Sequence, residues 1–418
     1  MNVEKKLLNK DFLFFVAGWE LSMTADAMLR FALPLYILLQ TGNVALMGTL
    51  LTLTSLPIIL LTPIGGVLAD RSNKRTLMVV LNLAIATFTT VYLIIRQLTD
   101  MVLITGLMLL VLLTLEALLT PSAEAAVPLL VPNDDLAKAN GITFLLTIFS
   151  SVGAPIIAGR MLEGGDLSHI VVLSIVLFFL ASVVKTFVNI PYRRVKIKEK
   201  MLKIITHDLK QGICFFTKEK PQMGKIILNI TLASFVVAPL MSVAVSALVI
   251  DYFARGESMV GIAQGLVVFG GTFGVIFIGI LGKKATIKLI RPILFTITLL
   301  FLITGFVFVT TVSRNIIFIL MLASFFLKLS FMTVLAVISW SHLQEFTPSE
   351  HTGKVMALNG SFIAMGVALG NSLYGLLFDK FNSTPAYAFF ILAGICLVIS
   401  MILGLKDNHA KIPSHETK

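Results

Sequence analysis

Apolar runs long enough to cross about 30 Å of hydrocarbon recur along the whole of this 418-residue chain, and nothing else in the sequence constrains its fold as tightly. Inside lipid every backbone N–H and C=O must find its partner within the protein, so each run is expected to be a helix. Twelve runs are read, at 12–39, 45–69, 76–96, 101–127, 140–162, 168–190, 222–250, 258–282, 287–312, 315–343, 354–378 and 384–405. Pro57, Pro63, Pro121, Pro155 and Pro239 fall inside them and predict bends. Composition agrees, with 57% hydrophobic residues and 13% charged ones, where a soluble domain carries roughly 25% charged. The expected class is an all-α polytopic membrane protein with twelve transmembrane helices.

Orientation follows from charge. Lys5, Lys6 and Lys10 precede the first run, which is too long for a signal peptide, contains Trp19, Glu20 and Asp26, and is followed by no small-residue cleavage site. With the N-terminus inside, 25 of the 33 Lys and Arg fall on the cytoplasmic side, five in outer loops and three within spans. Both termini are therefore expected in the cytoplasm of a cell-membrane protein. The same asymmetry accounts for the net charge of +11 without a nucleic-acid partner. Ten cations lie in or beside the loop 191–221, whose Met201, Ile204, Ile205, Leu209, Ile213 and Phe216 recur at helical spacing. That predicts an amphipathic helix on anionic membrane lipid, dividing the chain into six-helix bundles 1–190 and 222–418. Cys214 and Cys396 offer neither a disulfide framework nor a metal cluster, and there is no phosphate-binding loop. No metal or cofactor is expected, energy must come from an ion gradient, and the Gly265–Gly274 patch reads as helix packing.

The two halves carry a weak internal repeat. An offset of 213 superposes Gly48 on Gly261, Gly66 on Gly279 and Leu68 on Leu281, while Asn140-Gly141 and Asn359-Gly360 mark the fifth and eleventh spans. Parallel six-helix repeats are a known transporter architecture.

After the second span the sequence reads Gly66-Val67-Leu68-Ala69-Asp70-Arg71-Ser72-Asn73-Lys74-Arg75. This is similar to the signature of the major facilitator superfamily, with Asn73 in place of the usual glycine, a change that Asn tolerates because it accepts left-handed backbone. The resemblance implies two pseudo-symmetric six-helix halves, and a gate in which Gly66, Asp70, Arg71 and Arg75 act, the aspartate capping a helix that begins near Lys354. Thr120-Pro121-Ser122-Ala123-Glu124 through Pro132, Leu136 to Gly141, Phe31 to Leu35, Thr41-Gly42-Asn43 and Gly353-Lys354-Val355 resemble the macrolide-efflux branch of drug:proton antiporters. Gly153, Pro155 and Gly159 resemble the antiporter motif of drug exporters, with Ala154 and Ala158 where glycines are usual. Small residues there equally suit close helix packing.

Charges inside a membrane are costly and mark candidate sites. Asp26 and Arg30, Glu116 and Lys328 fall near mid-depth of the first, fourth and tenth spans, three of the four helices that line the family's cavity. Trp19, Ser22, Asp26 and Arg30 form one stripe at 100° per residue, expected to face that cavity. Glu116 and Asp26 are the candidate proton carriers, with Trp19, Ser22, Arg30 and Lys328 lining the substrate cavity. Asp26 can pair with Arg30 in cis, and Glu116 with Lys328 across helices. Lys185 and Glu20, nearer the cytoplasmic ends, are expected to snorkel. Together with the resemblance, these residues imply proton-coupled efflux of amphipathic small molecules, macrolide-like drugs included, by a monomer. The alternatives are export or flipping of an anionic molecule such as a siderophore or lysophospholipid, held by Arg30 and Lys328, and a membrane-embedded enzyme or sensor.

Overall fold

The computed structural model describes residues 7–98, 100–191, 220–347 and 349–404. Among them run twelve long helices: α1 Lys10–Thr41, α2 Val44–Arg71, α3 Lys74–Ile95, α4 Met101–Glu124, α5 Leu136–Met161, α6 Ser168–Thr186, α7 Pro221–Tyr252, α8 Glu257–Leu281, α9 Ile290–Val309, α10 Arg314–Phe346, α11 Ser349–Lys380 and α12 Pro385–Gly404. The first eleven each contain a stretch long and apolar enough to span a bilayer, and α12 adds a shorter apolar stretch over Pro385–Met401. The amphipathic helix expected within 191–221 lies outside the described residues.

Local chemistry sets where the first helices start. The side chains of Asn9, Asn43, Asn73 and Asp100 accept hydrogen bonds from the backbone N–H of Phe12, Leu46, Thr76 and Leu103 at 2.9, 2.7, 3.2 and 2.8 Å. Each satisfies one of the donors that a helix start leaves open. Asn73 thereby corrects an expectation: its φ is −67°, so its role is capping α3 and not left-handed backbone. Gly42, at φ +62°, closes α1, leaving one further residue, Asn43, before α2 begins. In α7 the ring of Pro239 removes a backbone donor, and the helix continues through two π-helical turns, Leu240–Ala244 and Leu248–Tyr252.

Helices α1 to α6 pack among themselves, α1 against α5 and α6, α3 against α6 and α4, and α2 against α4. Helices α7 to α12 do likewise, with α8 and α9 on α10, α12 on α9, and α11 on α7. The halves meet along two seams, α2 with α11 and α5 with α8. Each seam is a reciprocal pair of glycines against carbonyl oxygens. A Cβ on Gly48 would meet the Asn371 carbonyl and one on Gly375 the Val44 carbonyl. A Cβ on Gly261 would meet the Pro155 carbonyl and one on Gly159 the Glu257 carbonyl. Gly48 and Gly261 are the positions that the 213-residue offset superposes, so the sparse sequence repeat marks equivalent places in the two halves. Beside the first seam, Thr52 Oγ1 donates to the Ala368 carbonyl at 2.5 Å and lies 2.7 Å from Ser372 Oγ.

Both seams sit at the start of α2 and α8 and toward the end of α5 and α11. Counting crossings from the N-terminus, these are the ends on the face remote from the termini. Toward the other face, nothing among the described residues lies within 4 Å of where a Cβ on Gly141 of α5 or Gly279 of α8 would stand. The space between the halves therefore opens on the side of the termini and the long basic loop. Gly265, Gly270 and Gly274 let α8 approach Val152 of α5 and Phe326 and Ser330 of α10, as expected of a packing patch.

Candidate functional site

Charge chemistry concentrates where α1 faces α4. One turn apart on α1, Arg30 Nε lies 2.7 Å from a carboxylate oxygen of Asp26. The other end of the same guanidinium reaches across to α4, with Nη2 2.6 Å from Glu116 Oε2. Arg30 is the bridge between two carboxylates because its planar fork presents separated N–H groups that a lysine ammonium could not. Asp26 and Glu116 are buried, the Arg30 side chain is about a third exposed, and Glu116 Oε1 has no hydrogen-bond partner. The cis pair read from sequence is present. The cross-helix partner of Glu116 is Arg30, and the alternative pairing with Lys328 is not made.

The polar stripe on α1 divides between two environments. Ser22 turns into the N-terminal half, accepting from Lys185 Nζ at 2.7 Å and lying 2.9 Å from Asn82 Oδ1 of α3. It is fully buried there and does not line the space between the halves. Lys185 corrects a second expectation. It does not snorkel: its side chain is fully buried, the missing Cβ of Gly18 admits its stem, and its ammonium lies 5.6 Å from the Trp19 ring centroid. Glu20 is likewise pinned, accepting from Ser150 Oγ of α5 at 2.6 Å.

Lys328 also departs from the cavity role expected of it. It is fully buried inside the C-terminal half, donating to Thr304 Oγ1 at 2.7 Å and Ser324 Oγ at 2.8 Å. Phe301, Phe325 and Phe389 box its ammonium, with centroids 4.5, 5.0 and 5.8 Å away. Cation–π attraction and two hydroxyl acceptors replace the carboxylate that a buried ammonium ordinarily needs.

Trp19 does line a cavity. About 410 Å³ lies open between α1, α4 and α5 toward the termini, walled by Phe15, Trp19, Glu124, Asn140, Phe144 and Thr147 among others. Sequence reading passed over Glu124 as part of a motif. The available signal was an acid at the end of an apolar span with no cation within a helical turn.

Gly66, Asp70 and Arg71 lie at the terminus-side end of α2, and Arg75 lies in the first turn of α3. The side chains of Asp70 and Lys354 lie outside the described residues, so the cap between them is not described. Of the antiporter-motif residues, Gly159 and the Pro155 carbonyl form the seam with α8, while nothing among the described residues comes within 4 Å of a Cβ built on Gly153.

The sequence profile of the Major Facilitator Superfamily matches residues 21–370. Over 388 residues the chain is 24% identical to Macrolide efflux protein A of Streptococcus pyogenes, covering 92% of this chain and 93% of that one. A variant of the nucleoside transporter NupG superposes with a TM-score of 0.73 at 11% identity, over 94% of this chain and 98% of that one. A bacterial homologue of the iron transporter ferroportin, solved in an inward-facing state, gives 0.70 at 16% identity, over 96% and 100%. At such identities the solved structures speak for the fold.

Proposed function

Because the chain belongs to the Major Facilitator Superfamily and is a multi-pass membrane transporter of small molecules, we propose that it exports amphipathic compounds, macrolide-like drugs among them, in exchange for protons. The likeness to Macrolide efflux protein A supports the cargo class, and the Asp26–Arg30–Glu116 bridge carries the coupling. One guanidinium against two carboxylates leaves a net charge of −1 at mid-depth, where an unbalanced charge is costly. One proton on the pair makes the bridge neutral. The proton binds at Glu116 or Asp26 when the site opens outward and leaves inward, and a cationic cargo takes its place in the charge balance.

The rest of the cycle follows alternating access of the two halves. The seams hold the face remote from the termini closed, and releasing them lets Gly66, Asp70, Arg71 and Arg75 close the opposite face. Gly153, Pro155 and Gly159 serve the seam between α5 and α8. We place the chain in the cell membrane as a monomer with both termini in the cytoplasm, and bundles 1–190 and 222–418 as its moving bodies. Lys328 is enclosed and Arg30 is held by two carboxylates, which disfavours an anionic cargo bound between them.

The test is transport in proteoliposomes with erythromycin as probe. Glu116→Gln and Asp26→Asn keep shape and remove the titration. The carrier's variant is expected to retain exchange down a concentration gradient and to lose accumulation driven by a pH gradient. Full uphill transport by both variants would falsify the coupling role.

A further inference from the structure

Glu124 has no ion pair or hydrogen bond among the described residues, yet it stands on the wall of the α1–α4–α5 cavity. Around it the wall is mixed in a particular way. Phe15 and Trp19, one turn apart on α1, stack with centroids 6.4 Å apart. Phe144 stands on the α5 side, one turn from Asn140 and close to Thr147. An aromatic shelf, two hydrogen-bonding side chains and one uncompensated carboxylate match a molecule with a flat or bulky apolar body and a single positive charge. At about 410 Å³ the cavity falls within the range of small-molecule sites.

The helical wheel of α5 gives the direction in which the cavity opens. Its contacts with α8 come from Val152, Pro155, Ile156 and Gly159. At 100° per residue, Asn140, Phe144 and Thr147 fall to one side of that contact line. Phe149 and Ile157, large and exposed, fall to the other side, where lipid would meet them. The cavity therefore faces the space between the halves. It lies about 10 Å from the charge bridge, since seven residues of α1 separate Trp19 from Asp26.

We propose that this cavity is a binding subsite for amphipathic monocations, with Glu124 as the charge partner and Phe15, Trp19 and Phe144 as the apolar surface. It rests on the efflux reading and adds the cargo's charge and first resting place. A cargo held here stands on the terminus side of the bridge, within reach of the compartment to which the space between the halves opens.

The experiment uses the protein's own reporter. The chain has two tryptophans, so Trp340→Phe leaves Trp19 as the sole indole. In lipid nanodiscs, Trp19 emission is titrated with tetraphenylphosphonium and with triphenylphosphine oxide, a neutral molecule of similar aromatic body. Both are expected to quench Trp19. Glu124→Gln should weaken the phosphonium about fivefold or more and leave the oxide unchanged, while Glu124→Asp should keep most of the difference. Equal affinities in Glu124→Gln and parent, equal loss of both probes, or no quenching of Trp19 by either probe would overturn the subsite. Extrusion of tetraphenylphosphonium driven by a pH gradient is measured on the same variants. Charge-selective binding without extrusion leaves the subsite standing and removes the efflux reading. Extrusion with binding insensitive to Glu124 does the reverse.

Discussion

At the scale of single residues, what Arg30 does for the fold can be separated from the part in transport proposed for it. Arg30→Met leaves Asp26 and Glu116 buried and facing each other without a cation. Orphaning a buried pair typically costs about 3–5 kcal/mol, so the variant's thermal midpoint in detergent should fall by many degrees. Adding Asp26→Asn and Glu116→Gln to Arg30→Met should restore most of the midpoint and none of the uphill transport. A triple variant as unstable as the single one would mean that Arg30 stabilises through packing alone. Lys328 offers the opposite case. Met is nearly its length, makes favourable contacts with aromatic rings, and leaves Thr304 Oγ1 and Ser324 Oγ still 2.7 Å apart and paired. Lys328→Met is therefore expected to raise the thermal midpoint, by about 1 kcal/mol or more in stability, and a lower midpoint would show that the boxed ammonium holds the half together.

The same residues show how far sequence reaches. Asp26 and Arg30 were legible as a pair because four residues on a helix is a fixed geometric relation. Arg30 and Glu116 were not, because the rotation of α4 against α1 depends on packing that no local spacing encodes. Lys185 was misplaced because distance from a span end gives depth and not direction. Its burial depends on the gap at Gly18, on a different helix. For Lys328, mid-depth was right and the facing direction was not.

At the scale of elements, helix count and order follow from hydropathy, since each run had to close its own hydrogen bonds. The irregular part of α7 was signalled only by Pro239, and π-helical turns leave no periodic trace to read. Seam glycines were partly legible: the repeat named Gly48 and Gly261 without saying what they touch. Gly261→Val would drive a branched side chain into the Pro155 carbonyl, and a backbone cannot yield as a side-chain tip does. An overpacked contact costs about 1–3 kcal/mol, charged here only to the state in which α5 meets α8. The expected outcome is a shift toward the state open on the remote face. A cysteine placed at Thr52 should then react faster with a membrane-impermeant maleimide, and an unchanged rate would mean that the seam does not control access.

At the scale of the molecule, Thr52 and Ser372 provide a reversible clamp. Their hydroxyls are 2.7 Å apart across the halves, close enough for paired sulfurs to form a disulfide. The Thr52→Cys, Ser372→Cys pair should stop transport on mild oxidation and recover with dithiothreitol. Unimpaired transport by the fully oxidised protein would rule out opening at this seam.

The chemistry of those seams also sets the rhythm of the machine. A glycine face against a carbonyl oxygen is a weak bond, about 0.5–1 kcal/mol apiece, and the Thr52–Ser372 hydroxyl pair at the first seam adds about 1 kcal/mol more. A latch of that kind is released by ordinary heat. The swing between states is then a thermal flicker, and under the coupling proposed above the proton gradient would act as a pawl that rectifies it. Cooling should slow turnover through the flicker, whatever the size of the gradient.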